Sequence, residues 1–173
     1  MGDGLTGLDV ADSGPDGRSG RRRILVVANE TLVGEALRET VEERARGYRA
    51  EAFVVCPALN SRLRHWLSDV DRALAQAQLR LEATMAALEE LGIRADGRVG
   101  DADPVQAMED ALRVFNADEI VVSTHPPGRS NWLEKNVVER ARGRFEVTIT
   151  HVVVDLERER TETQDASASA VNE

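Results

Sequence analysis

Apolar runs and helical stripes alternate along the chain. Arg23-Ile-Leu-Val-Val-Ala28 is unbroken, as expected of a strand covered on both faces. Val33, Leu37, Val41 and Ala45 then recur at spacing four, which predicts a helix capped by Thr31 and ended by Gly47. A second strand over about Arg49 to Cys56 alternates before turning apolar at Phe53-Val54-Val55, and Pro57 stops it. After a loop containing Asn60 and Ser61, Leu63, Leu67, Val70, Leu74, Ala77, Leu81, Met85 and Leu88 keep a spacing of three or four up to Gly92. That helix spans roughly 40 Å at 1.5 Å per residue, longer than a crossover needs, so it overhangs the sheet or shields a site.

Ile93, Ala95, Gly97 and Val99 alternate as a weaker third strand, expected at a sheet edge. Asp103-Pro104 with Gln106 has the form of a cap, a proline at the first helical position and a capping-box partner. Ala107, Ala111, Leu112 and Phe115 give that helix its apolar side. Ile120-Val121-Val122 is the next buried run, bounded by Asp118-Glu119 before it and Pro126-Pro127-Gly128 after it. Asn131 with Glu134 predicts the start of a helix carrying Leu133, Val137, Val138 and Ala141 and ended by Gly143. A last strand is expected over Phe145 to Val154, with Val147, Ile149, His151 and Val153 on one face and Thr148, Thr150, Val152 and Val154 on the other. Strands alternating with helices predict an α/β fold with a doubly wound, five-stranded parallel sheet. Ligands in such sheets bind beyond the carboxyl ends of the strands where strand order reverses.

Charge refines this picture at the ends of the chain. The net charge of -9 is concentrated in Met1 to Gly20, with four aspartates against one arginine, and Asp155 to Glu173, with six acids against two arginines. The expected organisation is a disordered tail over 1–20, one α/β domain over 21–155 and a disordered acidic tail over 156–173. The domain between is nearly neutral, which gives no basic face for nucleic acid. No apolar run approaches the roughly 18 residues of a membrane span, and there is no leader-like segment. A soluble cytoplasmic protein is expected. The one cysteine, Cys56, reads as a buried strand-end thiol, and no metal-ligand spacing is present.

The order Arg23-Ile-Leu-Val-Val-Ala-Asn29, Val99-Gly-Asp-Ala-Asp-Pro104, Ala117-Asp-Glu-Ile-Val-Val-Ser123 and Val137-Val-Glu-Arg-Ala141 before a Val-rich strand resembles the universal stress protein family over about Arg22 to Asp155. The resemblance implies strand order 3-2-1-4-5 and a homodimer paired through the last strand, Phe145 to Val154. It also implies a nucleotide, ATP or AMP, although no cofactor is required for the fold. Nucleotide-binding members carry G-x2-G-x9-G-[STN] after the fourth strand. Here Val122, His125 and Lys135 occupy those glycine positions, Asn136 keeps the small polar one, and Asn29 stands where an aspartate is usual.

The candidate ligand contacts are Asn29 and Thr31 after the first strand and Val55 at the end of the second. Thr124, His125, Gly128, Arg129 and Ser130 follow the fourth strand, with Lys135 and Asn136 in the helix start beyond. Gly128 either admits close backbone approach or completes a turn after two prolines. Arg129 and Lys135 offer cationic contacts to a phosphate. The absence of a nucleophile or metal motif argues against turnover. Two functions fit: a non-catalytic stress-response-type protein holding a nucleotide or other phosphorylated small molecule, and a ligand-free homodimeric interaction module of the same fold. A third, a small enzyme acting on a phosphate ester with His125 as acid or base, lacks a nucleophile or metal set.

Overall fold

The computed structural model describes residues 20–28, 34–58, 67–126, 136–155 and 158. The expected tails lie almost wholly outside these residues. Chain order is β1 (Arg21–Ala28), α1 (Glu35–Ala45), β2 (Arg49–Pro57), α2 (Leu67–Glu90), β3 (Arg94–Gly100), α3 (Pro104–Leu112), β4 (Glu119–Thr124), α4 (Val137–Arg144) and β5 (Thr148–Val153). The five strands form one sheet in the order β3-β2-β1-β4-β5, with every neighbouring pair parallel. The expected fold class and strand order are both present.

Side-chain alternation across the central strands divides the core in two. Ile24, Val26, Val54 and Val121 face α1 and α2, where Leu37, Val41, Leu81 and Leu88 meet them. Leu25, Val27, Val55, Ile120 and Val122 face α3 and α4, where Met108, Ala111, Val138 and Ala141 close over them. Burying an aliphatic side chain of this size contributes about 1.5–3 kcal/mol, so both layers hold the sheet. The face partition predicted for β5 is observed, with Val152 and Val154 in the first layer and Val147 and Ile149 against the second.

Several boundaries differ from the sequence pattern. The first helix starts at Glu35 with Gly34 as its uncapped N-cap, not after Thr31. Gln106 does not complete a capping box, because its amide turns to Asp110 at 3.0 Å, while Asp103 alone caps α3 through the Val105 N–H. The fourth helix runs from Val137 with Asn136 at its N-cap and passes through Gly143 to Arg144. Its expected start at Asn131 lies outside the described residues. Glu119 is not a polar boundary: it is the first residue of β4 and is fully buried.

The length of α2 is explained by its packing. Leu81 lies against Gly97, where any Cβ would collide with it at 2.8 Å and with the Val54 carbonyl. From Gly97 to the end of β3 the sheet rises about 10 Å, a distance α2 covers in about seven residues. The helix therefore needs about seven residues before Leu81 to reach the carboxyl edge of β2 and β3, and Ala73 at that level is still buried. Arg80 marks that edge by donating to the Pro57 carbonyl at 3.3 Å.

Candidate functional site

The chain reverses direction across the sheet between β1 and β4, which are adjacent and in register, Ala28 beside Ser123. The crevice at their carboxyl ends is the expected ligand position for this topology. β4 is buried throughout, so its last two residues bring hydroxyls into an apolar setting. Ser123 shares the face of Val121 and has no hydrogen-bond partner among the described residues for its fully buried Oγ. Thr124 lies on the opposite face, where its Oγ1 is 2.8 Å from Nε2 of His151 on β5. The Thr124 carbonyl accepts from the Val154 N–H at 2.8 Å, so the end of β4 is tied to the edge strand twice.

Four of the ten candidate contacts fall among the described residues. Thr124 and His125 sit at the crevice, the imidazole half-buried. Asn136 opens α4 in the left-handed conformation, φ 49° and ψ 41°, which asparagine tolerates better than most residues. Val55 is fully buried, and its side chain lies under α3 close to Gly100. Asn29, Thr31, Gly128, Arg129, Ser130 and Lys135 lie outside the described residues. Val122, at a glycine position of the nucleotide motif, fills the core beneath α3 and α4 with no exposure.

The N-terminus of α3 is already occupied. Asp103 accepts from Val105 N–H at 2.9 Å and from Arg140 of α4 at 2.9 Å. Burial opposes ionisation there, but the Arg140 and backbone hydrogen bonds prevail and hold the carboxyl below its usual range. Asp101 accepts from the Asp103 N–H at 2.7 Å, which makes it a turn residue. Among the described residues no group of His, Cys, Asp and Glu could hold a metal ion. Burial pushes the Cys56 thiol up to about 12, with Arg80 pulling weakly the other way, so this thiol is inert at neutral pH. A groove of about 380 Å³ opens elsewhere, between β3 and α3, lined by Arg98, Gly100, Asp101 and Arg113. It is two strands from β1, and Arg113 there is paired with Glu109 and Asp110.

Sequence reasoning missed three polar residues. Ser123 and the partnership of His151 depend on strand register, which no local pattern reveals. Glu119 is held at the other end of β4 by Arg22 at 2.7 Å, Arg44 at 3.4 Å and the Thr150 hydroxyl at 2.5 Å. A charged residue at the head of an apolar run was its only signal.

No family model matches the sequence, and no curated protein matches it. Solved structures do match. A universal stress protein from Archaeoglobus fulgidus aligns with TM-score 0.53 and 14% identity over 76% of this chain and 93% of its own. The same organism's universal stress protein in complex with dAMP aligns with TM-score 0.53 and 16% identity, over 76% and 97%. A universal stress family protein from Arabidopsis thaliana with AMP bound gives 0.51 and 13%, over 79% and 94%. The fold is that of the universal stress proteins. Within that universal stress fold, this chain closes its switch point with Ser123 and Thr124 and ties the second of them to the edge strand. No helix among the described residues is long and apolar enough to cross a membrane.

Proposed function

We propose that this chain is a non-catalytic, stress-response-type binding protein of the cytoplasm that holds a nucleotide or other phosphorylated small molecule at the carboxyl ends of β1 and β4. The observation that carries this reading is the Ser123 hydroxyl, fully buried at the strand switch and without a partner among the described residues. Buried polar groups are otherwise nearly always satisfied, so a group of this kind at a binding crevice calls for a ligand or a bridging water. The dAMP and AMP complexes of proteins with this fold support the class of ligand. Asn29, Thr31 and Asn136 would supply neutral hydrogen bonds, and Arg129 the charge for a phosphate.

The test begins with denaturing the purified protein and analysing released small molecules by mass spectrometry. AMP and ATP are then titrated, with and without Mg²⁺, in a thermal shift assay. A ligand at 100 times its dissociation constant adds about 2.7 kcal/mol. Neither released nucleotide nor a shift would sink the reading. Arg129→Ala is expected to weaken binding about tenfold, the loss of one charge-assisted hydrogen bond.

A second reading, a ligand-free homodimeric module, is favoured by β5. It is an edge strand whose Val153 is 45% exposed, the kind of edge that invites pairing with another chain. Light scattering at micromolar concentration decides the dimer, and a monomer removes this reading.

A further inference from the structure

The hydrogen bond between Thr124 and His151 joins the candidate site to the edge of the sheet, and its direction follows from burial. Thr124 is fully buried, and its hydroxyl has His151 Nε2 as its partner among the described residues. If the ring donated from Nε2, the threonine proton would be left without an acceptor among the described residues, the costly arrangement for a buried donor. The threonine therefore donates, Nε2 accepts, and the neutral ring carries its proton on Nδ1. A second proton on the ring can only go to Nε2. That turns the acceptor into a donor: the bond reverses, Oγ1 accepts from the ring, and the threonine proton is left without an acceptor among the described residues.

We propose that His151 is a positioning residue for the candidate site: the neutral ring accepts from Thr124 and fixes the carboxyl end of β4, and the protonated ring reverses that bond, leaves the threonine proton unpaired and weakens ligand holding. This inference rests on the nucleotide-binding reading above. The surroundings set where the change occurs. Thr124 and Val122 of β4 are uncharged, Arg142 on α4 is the nearby charge, and Ile149 and Val153 share the ring's face of β5. Among the described residues no carboxylate pairs with the ring. Burial first, and Arg142 second, hold its pKa below the ordinary 6.5, so the switch operates below that pH. The neutral, fixed state is the one present at neutral pH.

The test has two arms. In the ligand-free protein, ring ¹⁵N shifts at about pH 7.5 should show a neutral ring with Nε2 unprotonated. The Ser123 and Thr124 amide signals should move on acidification with the midpoint of the His151 ring, and that movement should vanish in His151→Gln. A neutral ring protonated at Nε2, or an unchanged amide response in His151→Gln, overturns the proposal. In the second arm, AMP affinity is measured by equilibrium dialysis. It should fall between about pH 7.5 and about pH 5.5 by about fivefold more in the natural chain than in His151→Gln, the variant keeping only the fall due to the phosphate's own second ionisation at about pH 6. An affinity that is level in the natural chain, or that falls equally in the variant, also overturns it. Failure of AMP to bind at any pH removes the nucleotide reading, while the first arm still decides the switch.

Discussion

The two ends of β4 treat their polar side chains in opposite ways. At the amino end, Glu119 is fully buried yet surrounded, with Arg22 from β1, Arg44 from α1 and Thr150 from β5 all directed at one carboxylate. Each contact joins a different element to the strand, so the cluster fixes how β1, α1 and β5 meet. At the carboxyl end, four residues along, Ser123 is equally buried and has no partner among the described residues, and Thr124 has one. At the amino end the carboxylate is fully engaged, although Arg22 Nε is itself buried without a partner among the described residues. The hydroxyls at the carboxyl end retain unused hydrogen-bonding capacity. A parallel sheet places its ligands at the carboxyl end, and this chain keeps its internal charge network at the other.

The largest effect should come from breaking the amino end. Arg22→Leu removes the closest counter-charge from a buried carboxylate and is expected to cost about 3 kcal/mol, near the lower bound for buried pairs because Arg44 remains and Arg22 is itself partly exposed. Urea unfolding measures it; a loss below about 1 kcal/mol would make the cluster a surface feature in energetic terms. Thr150→Val deletes one donor to the same carboxylate and should cost about 2 kcal/mol, the range for hydrogen bonds to charged groups. If Thr150→Val cost more than Arg22→Leu, packing of the edge strand rather than charge would govern this end.

Acid sharpens the comparison next. The pKa of His151 is lowered on folding, so the unfolded chain binds the proton more tightly. Its contribution to stability is therefore present above the ordinary 6.5 and is lost as pH falls below it. Thermal melts across that window should show a slope that His151→Gln flattens. An unchanged slope assigns the acid sensitivity to the carboxylates. Ser123→Ala should have the smallest effect, within about 0.5 kcal/mol of the parent, because it deletes a hydroxyl that has no partner to lose among the described residues. A large destabilisation would mean that this hydroxyl is bonded in solution, and the carboxyl end would lose its distinction.

The same contrast explains what was legible in the sequence. Ile24 to Val27 and Ile120 to Val122 announce strands covered on both faces, and Asp103-Pro104 announces the start of α3, because these signals lie within one element. Glu119 was read as a strand boundary, since a carboxylate beside an apolar run ordinarily marks one. Its burial depends on Arg22, 97 residues away, and Thr150, 31 residues away. The site was legible as a location, the strand switch after Ala28 and Val122. Its hydrogen bonds were not, because the pairing of Thr124 with His151 arises only from the parallel register of β4 and β5. The capping box proposed for Gln106 failed for a similar reason: Asp110, one turn on, competes for the same amide.

The most direct test of the account is where AMP perturbs the backbone amide spectrum. Addition of AMP should shift Ser123, Thr124, His125 and Asn136 at the carboxyl end and leave Arg22, Arg44 and Glu119 in place. Shifts centred on the amino end, or no shifts at saturating AMP, would contradict it.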